Sequence, residues 1–162
     1  MALVDYFLKI DGVQGESTDS KHKGEIELES FGWGETNSGG HGAGGGGGAG
    51  KVSIQDLHFV MQLNKASPKL LLACAMGQHL KQAVLTGRKA GKQQQEFLVY
   101  KFTDLLVSSY QTGASAEALE GPLDQVSFNF ARIEVEYRPQ KPDGSLDAPI
   151  KAGWDVKANK KI

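Results

Sequence analysis

The sequence is short of several things that would have decided its class at once. One cysteine, Cys74, in 162 residues leaves no internal disulfide framework and suits a chain folding in a reducing compartment. No apolar run approaches a bilayer span: the longest, Leu70 to Met76, is seven residues against the roughly 20 needed. Neither sign of charge prevails, with 18 Lys and Arg against 19 Asp and Glu, so the basic face of a nucleic-acid binder is missing. The short basic clusters, Arg88-Lys89 with Lys92 and Lys157 with Lys160-Lys161, read as solvated loop and tail charge. The segment Met1 to Asp5 has no basic region ahead of an apolar stretch. The expectation is a protein made in the cytoplasm with no signal peptide, so export would need a route that reads none.

Glycine is what the chain has in excess. There are 21, and eleven of them lie between Gly32 and Gly50, so the surplus is one local event. Elsewhere alternation dominates. Period-two patterns predict strands over 2–10, 25–33, 52–63, 80–89, 95–110, 124–138 and 150–156. Residues 67–76 predict the one helix, with Ser67 as its cap, Pro68 in its first turn and Gly77 as its left-handed stop. That helix is apolar nearly all round, so it is expected to be buried or wedged, with Cys74 as an inert packing thiol. The apolar face of 124–138 changes from even to odd numbers, which predicts a bulge near Ala131-Arg132. About seven strands and one helix make a mainly β chain. The expected fold is an antiparallel β-barrel, or two packed sheets, in one domain over 1–162.

Motifs that suggest chemistry fail on context. Gly42, Gly44 and Gly47 spell G-x-G-x-x-G, but a strand follows where the dinucleotide fold requires a helix. Gly45 to Lys51 fits the start of a phosphate loop, yet Val52 stands where Ser or Thr must follow. Glu25, Glu27 and Glu29 share one strand face and read as a wet surface rather than a glycosidase pair. His22, His41, His58 and His79 have no partner at metal-ligand spacing, though Asp56 could orient His58. No catalytic residue, cofactor or metal is predicted.

Two features point instead to assembly. Fixing the 17-residue loop 34–50 costs about 1–2 kcal/mol per residue, and it has few side chains to offset that. Either it stays mobile or a neighbouring surface grips it. From Phe97 to Val107 apolar residues occupy both alternating faces, Phe97, Val99, Leu105 and Val107 against Leu98, Tyr100, Phe102 and Leu106. A strand dry on both sides meets a helix, a second sheet or another subunit. Leu98, Tyr100 and Phe102, with Gly44, Gly45, Gly46, Gly47 and Gly48, are the candidate inter-subunit and stacking residues.

Several segments carry a specific resemblance. They are Trp33-Gly34, the tract from Gly44 to Val52 with Gln55-Asp56-Leu57, and the helix from Ser67 to Gly77. Arg88 to Gly91, Leu106 to Ser109, Phe128 to Ala131, Tyr137 to Gly144 and Gly153-Trp154 complete the set. In this order and spacing the chain resembles the Hcp (haemolysin-coregulated) family, tube subunits of the bacterial type VI secretion system. The resemblance implies a barrel with one flanking helix, a homo-hexameric ring, rings stacked inside a contractile sheath, a spike protein at the tip and effector proteins in the lumen. It implies secretion by that machine, with no nucleic acid and no membrane insertion. The glycine arm would be the family's extended loop, and Gly87 departs from the pattern by leaving a strand without a side chain. The alternative is a small-ligand or glycan-binding β-barrel with the glycine tract as a lid.

Overall fold

The computed structural model describes residues 3–40, 50–91 and 93–162. The strands β1 (Val4–Ile10), β7 (His79–Lys89), β8 (Glu96–Gly113), β9 (Leu123–Tyr137) and β6 (Leu57–Gln62) pair antiparallel in that order. The predicted strand 25–33 divides into β2 (Ile26–Glu27), on β1, and β3 (Ser30–Gly32), on β6. The change of partner is abrupt. Leu28 donates its amide to Tyr6 at 3.0 Å, and Glu29 donates to Val60 at 2.8 Å. One short segment therefore closes the sheet into a barrel, which leaves β1 opposite β9.

The expected bulge is part of a larger feature. In β9 the buried set runs Val126, Phe128, Phe130 and then Ala131, Ile133. In β8 it changes from Phe102 to Leu105, and in β7 from Leu80 to Ala83. Lys81, Asp104 and Ala131 lie on one line across the three strands, bracketed by pairs that keep constant register. Asp104 takes the left-handed conformation at φ 57°, which lets β8 shift its parity without losing its neighbours. The two apolar faces of Phe97 to Val107 thus arise largely from one core face that changes sides midway. That corrects the expectation of a strand dry on both sides.

Phe59, Phe102 and Phe128 are fully buried and fill the barrel, with ring centroids 5.3 Å apart for Phe102 and Phe128. Each such side chain contributes about 1.5–3 kcal/mol on burial. The helix α1 (Ala66–Met76) covers one end. Its left-handed Gly77 stop is as expected, but Lys65 occupies the N-cap position and Ser67 does not cap. Ser67 instead donates to the fully buried Asp124 at 2.5 Å, and Tyr110 donates to the same carboxylate oxygen at 2.9 Å. Burial, with Asp124 beside it, raises the Tyr110 phenol above its ordinary value.

Beyond the kink β9 leaves β6 and pairs with β10 (Ile150–Asp155). A turn at Asn159 adds a short strand, β11 (Lys160–Lys161), which alternation did not reveal. Two further strands, β4 (Glu35–Asn37) and β5 (Val52–Ile54), form a separate hairpin at the base of the glycine arm.

Candidate assembly surfaces

The segment 14–25 folds back over the outer face of β1 and β7 and is fastened by charge. Arg88, buried in the structure, makes a bidentate pair with Asp19 at 2.7 and 3.0 Å and reaches Asp5 at 3.4 Å. The Arg88 guanidinium holds the Asp19 carboxyl well below the usual carboxylate range, and Asp19 raises Arg88 in turn. His22 lies between Glu25, 2.8 Å from Nδ1, and Glu96, 2.7 Å from Nε2, while its ring stacks on Phe7 at 4.4 Å. These contacts correct two expectations. Arg88 is not solvated, and Glu25 serves His22 rather than an open face. The Asp19 carboxylate also accepts from the amides of Lys21 and His22. Aspartate commonly makes such local turns, but nothing local points to a partner 69 residues away.

The arm begins as a hairpin ordered by its own chain. Asn37 donates from its side chain to the Gly50 carbonyl at 2.8 Å and accepts from the Gly39 amide at 2.8 Å. Gly44 to Gly48, and the tract's nucleotide-like motifs, lie outside the described residues, as do His41 and Lys92. Val52, after Lys51, begins strand β5 and not a helix. Between this hairpin and β9–β10 runs an apolar trough of about 490 Å³ lined by Trp33, Val52, Ile133, Val135 and Trp154. The buried Trp154 Nε1 has no acceptor among the described residues.

The other candidates separate. Phe102 is fully buried in the barrel, so its side chain cannot reach a neighbouring subunit. Tyr100 is half-buried among Phe31, Trp33 and Phe102. Leu98 is half-buried near the barrel mouth, paired with Gly87 and Tyr137. Sequence reasoning missed the outer face of α1. Leu70 and Ala73 enter the core, whereas Leu71, Leu72 and Met76 are 49%, 52% and 71% exposed. The unbroken apolar run from Leu70 to Met76 concealed which side would be left open.

Histidine chemistry stays local. His58 pairs with Ser127 at 3.2 Å rather than with Asp56, which accepts from Ser108 at 2.5 Å. His79 pairs with Asp104 at 3.0 Å, and Asp104 also takes Lys157 at 3.0 Å, so Lys157 is paired rather than free. Among the described residues no group of three His, Cys, Asp or Glu could hold a metal ion, and no helix is long and apolar enough to cross a membrane.

These features define a closed antiparallel β-barrel with a side-chain-filled interior, an end helix and a projecting arm hairpin. The profile of the family described as "Type VI secretion system effector, Hcp" matches residues 7–137. The chain is 48% identical over 158 residues to protein Hcp1 of Pseudomonas aeruginosa, covering 96% of this chain and 97% of that one. The crystal structure of Hcp1 from Salmonella typhimurium is 40% identical, covers 99% of this chain and 100% of that one, and superposes with a TM-score of 0.83. A structure titled as a type six secretion system protein reaches 0.91 at 35% identity, covering 98% and 99%. The chain belongs to the Hcp family, secreted structural proteins of the type VI secretion system.

Proposed function

We propose that the chain is a non-enzymatic subunit of the type VI inner tube, acting as a homo-hexameric ring. Rings stack through the glycine arm inside a contractile sheath, beneath a spike protein, and small effectors travel in the lumen. The machine itself exports the protein, without a signal peptide. Family membership supplies the system, and one observation supports a ring. The barrel interior is filled, yet the outer face of α1 and the trough beneath the arm hairpin leave apolar surface uncovered. A closed ring buries such surface through heterologous contacts, in which one patch meets a different patch on the next copy. Native mass spectrometry of the purified protein is expected to give six copies, and electron micrographs rings with an open centre. A monomer at all concentrations defeats the reading and returns the ligand-binding barrel.

A further inference from the structure

Among the described residues His22 is the histidine with a carboxylate at each imidazole nitrogen, Glu25 at 2.8 Å from Nδ1 and Glu96 at 2.7 Å from Nε2. His58 and His79 are exposed, and each has one side-chain partner. A carboxylate only accepts, and a neutral imidazole has one N–H, so only the imidazolium satisfies both contacts at once. A neutral imidazole would turn a bare lone pair toward one of the two carboxylates. With 8% of the His22 side chain exposed and one face against Phe7, little water reaches it to relieve that contact.

The surrounding charges favour the same state. On the segment 14–25 stand Glu25 and Asp19, whose carboxylate accepts the His22 amide. From β8 comes Glu96. From β7 comes Arg88, 4.8 Å from the Phe7 ring on which His22 stacks, and from β1 comes Asp5. Arg88 is taken by Asp19 and Asp5. Lys9, Lys21 and Lys23 line a cleft with Glu25, and Lys21 also lies near Glu96. None of the three is within ion-pair distance of a carboxylate among the described residues, which leaves His22 as the partner of both glutamates. Beneath it Phe7 is 2% exposed yet stands outside the barrel core, so its cover is the segment 14–25 itself.

We infer that His22 is a pH-sensitive clasp that, while charged, ties the segment 14–25 to β8 through Glu96 and holds it over Phe7. When His22 gives up a proton as the pH rises, one of its two carboxylates loses its donor and the clasp loosens. The fastening is thus present at low pH and lost toward alkaline pH. Arg88 and Asp19 keep their charges throughout, because each holds the other ionised. Release is therefore local, at the His22 half of the segment, and the Asp19 turn stays fixed.

Amide hydrogen exchange of the full chain, followed by mass spectrometry from about pH 5 to about pH 9, tests this. Rates are corrected for the intrinsic rise of exchange with pH. The amides of Gly24 and Glu25, which donate within the segment to Ser17 and His22 at 2.8 and 3.2 Å, report its closure. Wild type is expected to lose protection there by about tenfold or more across the range, while β8 and β9 keep theirs. Glu96→Gln is the discriminating variant. Its side-chain amide accepts from an imidazole N–H and donates to a bare imidazole nitrogen, so it suits either state, and protection should stay within about twofold. His22→Gln should show low protection with no trend. Flat protection in wild type overturns the clasp, as does a Glu96→Gln chain that loosens in step with wild type. Loss in β8 and β9 together with the segment overturns a local release.

Discussion

At Gly87 the absent side chain is a packing requirement. A Cβ there would stand 3.0 Å from the Tyr6 ring and 3.4 Å from the Leu98 Cβ. Tyr6 is itself held edge-on by Phe31 at 5.0 Å. The departure noted in the sequence therefore makes room for an aromatic on β1. Gly87→Ala is expected to lose about 1–3 kcal/mol by overpacking, read as a fall in Tm of roughly 2–4 °C per kcal/mol. The Arg88–Asp19 pair makes a prediction about acid. Because the Asp19 carboxyl is depressed in the folded state, its contribution is complete above the unfolded value of about 3.9. It is lost as pH falls from there through the folded value. Melts taken from neutral pH to about pH 2 should show a shallower acid loss for Asp19→Asn than for wild type. Equal slopes would remove the pair from the acid limb. Asp19 was not singled out from the sequence; that its carboxylate holds a buried arginine on β7 required the fold.

At the scale of the element, β8 separates folding from assembly. Phe102 lies in the filled interior, so Phe102→Arg is expected to cost about 3–5 kcal/mol and give little soluble protein. Leu98 stands near the barrel mouth beside the 47% exposed Tyr137. Leu98→Arg should keep its circular-dichroism spectrum and lose higher-mass species on a sizing column. If the two variants behave alike, that separation is wrong. The strand's length and apolar content were plain from alternation, but its sidedness was not. A parity change at Asp104 places Phe102 and Leu105 on one face, and a fixed period-two count puts them on different ones. Helix α1 shows the same limit. Its extent and its glycine stop followed from local signals, whereas apolar residues all round gave no indication that Leu72 and Met76 would stay uncovered.

For the whole molecule, the arm and the barrel are separable. The barrel closes through β1, β6 and residues 26–32 without using the arm hairpin. Deleting Gly44 to Gly48 should leave ring mass unchanged while shortening or abolishing stacked tubes in electron micrographs. Normal tubes and normal secretion from such a mutant would count against a stacking role. By itself the sequence determined the mainly β class, the helix, the position of the arm and the family resemblance, because strand alternation, helix stops and glycine clustering are local properties of the chain. Only the tertiary structure decided which apolar residues fill the barrel and which remain open, and which charges are buried. Those outcomes depend on partners far along the chain, as Arg88 finds Asp19 and Ser67 finds Asp124, and no local pattern encodes a partner's position.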